Sequence, residues 1–123
     1  MTKQQFLQYC RETYGTVADY PFDDWMESAV LRHSDTRKWY AITMTVSQSK
    51  LNIDGDEQID IVNLKLPNEM IGSFGIEDGV YPAYHMNKLH WLTLALDECD
   101  AEMLRWLLDI SYDLTRRKIA RKR

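Results

Sequence analysis

The strongest constraint on the fold is how closely the extended segments follow one another. Residues 28–33, Ser-Ala-Val-Leu-Arg-His, read as a short strand, and Asp35-Thr36-Arg37 as the turn after it. Residues 38–46 then alternate, with Tyr40, Ile42, Met44 and Val46 on one face and Trp39, Ala41, Thr43 and Thr45 on the other. The polar stretch from Ser47 to Glu57, with Asp54-Gly55, reads as a loop or hairpin turn, and Ile59 to Leu64 as a third strand. A last hairpin is predicted from Val80–His85 and Leu89–Leu96, turning at Met86-Asn87-Lys88. Parallel strands need a crossover of about a dozen residues or more, usually a helix. Three of the four links here are too short for one or are hairpins, so a mainly antiparallel sheet follows.

Three helices complete the order. Thr2 with Gln5 has the capping-box spacing, Phe6, Leu7, Cys10 and Tyr14 recur at helical intervals, and Gly15 is placed to end the helix, which predicts residues 3–14. Pro67 can open a short helix with Met70, Ile71 and Phe74 inward and Gly75 at its end. Asp100 caps the longest helix, whose stripe is Leu104, Leu107, Leu108, Ser111, Leu114 and Thr115. The expected fold class is α+β: a two-layer sandwich with a mainly antiparallel five-stranded sheet, order α-β-β-β-α-β-β-α, and the helices packed on one face.

At 123 residues, residues 1–123 read as a single domain, long enough to bury a core without disulfides or metal. Cys10 and Cys99 are far apart and lack CxxC spacing, which suits buried thiols in a reducing compartment. No apolar run approaches the roughly 20 residues of a membrane span, and no apolar signal core opens the chain, so the expected location is cytoplasmic, with no membrane partner. The net charge of −4 is uneven: residues 116–123 carry six cations, and residues 1–115 hold nine basic against nineteen acidic residues, a net −10.

Five segments carry a family resemblance: Tyr20-Pro21-Phe22-Asp23; Arg37-Lys38-Trp39-Tyr40-Ala41; Ile61-Val62-Asn63-Leu64-Lys65; Pro82-Ala83-Tyr84-His85-Met86-Asn87-Lys88 with His90-Trp91; and Asp109-Ile110-Ser111-Tyr112. Together they span nearly the whole chain and resemble the signature blocks of the bacterial MmcQ/YjbR family. The resemblance implies the same α-β-β-β-α-β-β-α antiparallel fold, similar to type III secretion chaperones and CyaY-like proteins. It also implies DNA binding, the label such proteins usually carry by structural analogy, and it brings no catalytic residues with it.

The residues themselves suggest two surfaces. A nucleic-acid surface would draw its cations from Arg37, Lys38, Lys65 and Lys88 and from the basic end, Arg116, Arg117, Lys118, Arg121, Lys122 and Arg123, with Arg32 and His33 nearby. On a helix, Arg117, Lys118 and Arg121 would lie within one turn of each other. Lysine and arginine displace counterions from phosphate whatever the sequence, and Trp39, Tyr84 and Trp91 could stack on unpaired bases. The alternative is a protein-interaction or small-anionic-ligand module lined by Trp25, Tyr81, Tyr84, His85, Asn87, His90 and Trp91, since rings supply area and polar groups set orientation. A metal site from His33, His85 and His90 lacks a fourth ligand nearby in sequence. Asn52-Ile53-Asp54-Gly55 is not a calcium loop, because Lys50 and Ile61 fall where ligands belong. The serines lack nucleophile context and no glycine-rich phosphate loop exists, so no enzyme, cofactor or metal is expected.

Overall fold

The computed structural model describes residues 1–23, 25–74 and 77–116. Helix α1 spans Lys3–Tyr14. The Gln5 amide donates to Thr2 Oγ1 at 3.1 Å and the Thr2 amide to Gln5 Oε1 at 2.9 Å, so the capping box forms. Gly15 closes the helix at φ 69°, a left-handed value glycine adopts without a Cβ penalty. Strands β1 (Ala29–Arg32), β2 (Trp39–Ser47), β3 (Gln58–Lys65), β4 (Val80–Pro82) and β5 (Trp91–Ala95) form one sheet of order β1-β2-β3-β5-β4. Every pairing is antiparallel. Between β3 and β4 lies α2 (Asn68–Ile71), with Pro67 at its N-cap and a short 3-10 turn, Gly72–Phe74, after it. Gly75, expected to end this helix, lies outside the described residues. Helix α3 (Ala101–Thr115) starts where Asp100 Oδ2 accepts the Met103 amide at 2.9 Å.

Helices α1 and α3 cover one face. Phe6 and Cys10 of α1 and Leu104, Leu107 and Leu108 of α3 pack on Leu31, Val62, Leu64, Leu92 and Leu94. Each fully buried leucine adds about 1.5–3 kcal/mol by removal from water. Leu114, expected in the buried stripe of α3, is instead 38% exposed, while Ser111 and Thr115 of the same turn are buried.

A β-bulge modifies the expected alternation of β2. Leu31 pairs with Ala41, but Arg32 pairs with Trp39, which leaves Tyr40 as an extra residue. Tyr40 therefore joins Ala41 in the helix-side core, while Trp39 turns to the face of Ile42, Met44 and Val46. The predicted grouping of Tyr40 with Ile42, Met44 and Val46 is thus corrected by one inserted residue. Ser111 closes the gap the bulge opens. Its hydroxyl donates to the Tyr40 carbonyl at 2.5 Å and accepts the Lys65 amide at 2.9 Å.

The opposite sheet face has a second, smaller core. Val30, Ile42, Met44, Val46, Leu51 and Ile61 are covered by Met26, Tyr84 and Met86 from loops. The predicted tight turn at Met86-Asn87-Lys88 does not form. The β4–β5 ladder stops at Pro82–Leu92, and residues 83–90 leave the sheet to lie over this face. Proline has no amide to extend the ladder, and the sheet interior captures the departing chain. Asn63 Nδ2 donates to the Tyr84 carbonyl at 3.0 Å, and Thr93 Oγ1 accepts the Tyr84 amide at 2.9 Å. The Thr93 hydroxyl in turn donates to Asn63 Oδ1.

Candidate functional site

Two depressions meet along the bulged end of β2. The first sits at one end of the sheet, where β2 and β5 begin and β3 stops. Lys38, Trp39, Lys65 and Trp91 line it together with Leu114 and Thr115 from the last turn of α3, around about 290 Å³ of space. Both lysines reach it because Lys38 precedes β2 and Lys65 ends the neighbouring β3. The helix end is fixed from below: Thr115 Oγ1 donates to the Ser111 carbonyl at 2.7 Å, so it accepts from His33 Nε2 at 2.9 Å. The chain leaves α3 here, with Arg116 at the C-cap in extended backbone and paired with Asp113 at 3.7 Å.

The second depression is a mostly apolar cleft of about 320 Å³ on the loop-covered face. Its walls include Phe22, Met26, Trp39, Met44, His85 and Met86. Phe22 meets Trp39 edge to face at 5.8 Å, and the Arg32 guanidinium stands 5.7 Å from the Trp39 ring centre. Arg32 also pairs with Asp19 at 2.7 Å. His85 has φ 60°, a left-handed value that histidine visits more readily than most residues, and its ring lies 4.0 Å from that of Tyr84. Trp39 belongs to both depressions and forms the wall between the lysine pair and the cleft.

The sequence-predicted residues divide between these places. Of the cation set, Lys38 and Lys65 share a depression. Lys88 is exposed in the turn that leads into Trp91. Arg37 is 62% exposed in the β1–β2 turn, 3.6 Å from Asp19, with φ 65°. Arg117, Lys118, Arg121, Lys122 and Arg123 lie outside the described residues. The seven ligand-surface candidates do not form one surface. Trp25 is exposed beside Met26, and His85 lines the cleft. Tyr84 is half-buried with its backbone pinned by Asn63 and Thr93. Tyr81 donates to Glu98 at 2.8 Å, and burial together with that carboxylate pushes its phenol up to about 12. Asn87 stabilises its own turn: its side chain accepts the Leu89 amide and its carbonyl those of His90 and Trp91. His90 is exposed, and Trp91 lies in the other depression. Phe22, Met26 and Met44, absent from the predicted set, supply the cleft. Only the run of methionines and rings hinted at them, and that pattern fits core packing equally well.

The remaining reactive groups are enclosed. Cys10 and Cys99 are buried free thiols, pushed by burial up to about 12 and about 11. His33 is buried among Tyr40 and Tyr112, with ring centres 5.3 and 4.4 Å away. Burial holds its pKa below the usual histidine value. Tyr14 stacks on Tyr112 at 4.3 Å and donates to Asp109, and both burial and that carboxylate raise its pKa. Among the described residues no group of three or more His, Cys, Asp or Glu is placed to hold a metal, and no helix is long and apolar enough to cross a membrane.

This is a small α+β protein with a five-stranded antiparallel sheet, three helices on one face and loops on the other. Comparison with known proteins matches the YjbR family model over residues 11–114. The chain belongs to the YjbR family. It is 37% identical to the uncharacterized protein YyaQ of Bacillus subtilis over 117 residues, covering 94% of this chain and 99% of that one. A crystal structure of a Pseudomonas syringae protein superposes with TM-score 0.92 at 42% identity, covering 94% of this chain and all of the other. A Deinococcus radiodurans protein superposes at TM-score 0.66 and 28% identity, covering 92% and 77%.

Proposed function

We propose that this chain is a non-enzymatic cytoplasmic protein that binds DNA, holding the phosphate backbone at the sheet end where the basic tail emerges. One observation supports this: Lys38 and Lys65 line one depression together with Trp39, Trp91 and Thr115, and Thr115 immediately precedes the six-cation run in the sequence. Two cations far apart in sequence, Lys38 and Lys65, thus share one depression. The net −10 of residues 1–115 disfavours polyanions elsewhere on the molecule, which confines contact to this patch. The buried, high-pKa thiols suit a binding protein in a reducing compartment better than a thiol enzyme.

Binding should weaken steeply with salt. With Lys38, Lys65 and the six tail cations on phosphates, log affinity against log salt has a slope of about −7 on duplex DNA. A chain ending at Thr115 keeps the fold and two of those cations, so its slope drops to about −2. Lys38→Gln or Lys65→Gln should each reduce the slope by about 1, for all sequences alike. Fluorescence anisotropy over a salt series measures this. Absence of binding at low salt by the full chain would remove the DNA reading, and an unchanged slope in the shortened chain would remove the tail from it.

A further inference from the structure

We infer that the DNA this protein takes is unpaired, and that one of its bases enters the cleft on the loop-covered sheet face. The inference rests on the phosphate reading above and adds what the other half of the site does. Trp39 is the shared wall: Lys38 and Lys65 stand on one side of it, and the cleft lined by Phe22, Met26, Met44, His85 and Met86 on the other. A strand with its phosphates on the lysines therefore has its bases within reach of the cleft. The cleft holds about 320 Å³, at the small end of ligand cavities, which suits a single ring system rather than a folded peptide.

The two halves of the site differ in charge. Lys38 and Lys65 lie in the depression on one side of Trp39, whereas the walls of the cleft on the other side carry no lysine, arginine or carboxylate. An occupant with an anionic backbone and an apolar, flat side group meets both conditions. The walls also match a base chemically. Indole and phenyl rings stack with any base, thioethers contact ring faces and edges, and the exposed His85 imidazole adds a hydrogen-bonding group at the rim. A duplex does not fit this arrangement, since its bases are stacked inside and would have to be extruded first.

The test compares three probes on the full chain by anisotropy at one low salt concentration: a short oligothymidylate, an abasic strand of the same length, and a duplex of the same length. The strand with bases should bind about 5- to 150-fold more tightly than the abasic strand, the range of one stacked base, and more tightly than the duplex. Met86→Trp, which fills the cleft from the loop without changing charge, should bring oligothymidylate affinity down to the level the unmodified chain shows for the abasic strand. Equal affinity for the first two probes, or preference for the duplex, would overturn the cleft assignment while leaving phosphate binding intact. Binding to none of the three would overturn the phosphate reading, and this inference with it. The comparison of probes on the unmodified chain holds even if the variant fails to fold.

Discussion

Replacing Asn63 by leucine tests what holds the cleft together. Asn63 is fully buried in β3 and makes both of its side-chain hydrogen bonds toward residues 83–90 or their support. The Thr93 hydroxyl accepts from the Tyr84 amide and so must spend its one proton on Asn63 Oδ1. Leucine is similar in size but strands the Tyr84 carbonyl and the Thr93 proton inside the protein. Each stranded group costs about 1–3 kcal/mol. The loop can recover part of that by lifting toward water, so about 2–4 kcal/mol of lost stability is expected. For a chain of this length that lowers the melting temperature by roughly 4 °C per kcal/mol. Urea denaturation measures the total, and amide exchange at Tyr84 reports whether the loop lifts, since its amide loses protection once Thr93 is free to turn. A loss below about 0.5 kcal/mol, the range of ordinary surface changes, with unchanged Tyr84 protection, would show that Asn63 does not pin the loop.

Two further outcomes follow from the other side of the sheet. Ser111→Ala leaves the Tyr40 carbonyl and Lys65 amide without their shared partner at the bulge, and should cost about 2 kcal/mol in urea denaturation, with Lys65 amide exchange accelerated. His33 has a native pKa below its unfolded value, because burial disfavours the imidazolium despite Asp35 and Asp113 nearby. As pH falls below the ordinary histidine value near 6.5, the unfolded chain takes up a proton that the native chain refuses. Stability is therefore highest above that pH and declines through the acid side, and His33→Gln should show a smaller loss between neutral and mildly acidic pH than the unmodified chain.

Most of the architecture was legible in the sequence because it rests on local rules. The capping box at Thr2–Gln5, the left-handed stop at Gly15 and the Asp100 cap depend on neighbours a few residues away, and all three form as spaced. Antiparallel pairing followed from link lengths. What the sequence hid depends on contacts across the sheet. Nothing in Trp39-Tyr40-Ala41 announces a bulge, and the group that bridges it, the Ser111 hydroxyl, comes from α3, about seventy residues later. Nothing in Tyr84-His85-Met86 shows that the chain abandons its hairpin, because the capturing groups, Asn63 and Thr93, sit on other strands. Buried polar residues inside apolar strands were the available signal. Such groups must be paired, and an unpaired backbone segment nearby is the natural partner.

The segments that carry the family resemblance thus divide into two kinds of residue. Tyr40, Asn63, Ser111 and Tyr112 are occupied by folding: they fill the helix-side core, pin the crossing loop or bridge the bulge. Interleaved with them, Lys38, Trp39, Lys65 and Trp91 point away from that structural work and share one depression. The bulge connects the two sets. In a regular strand Trp39 would occupy the face of Ala41 and Thr43, under the helices, and Tyr40 would face the loops. The extra residue reverses both, burying the tyrosine beneath α3 and turning the indole outward between the lysine pair and the cleft. A single insertion in register therefore builds the core of the helix layer and presents the ring around which the candidate site is arranged. That is why the site could not be read from alternation alone: alternation places its central residue under the helices, and the bulge places it on the opposite face.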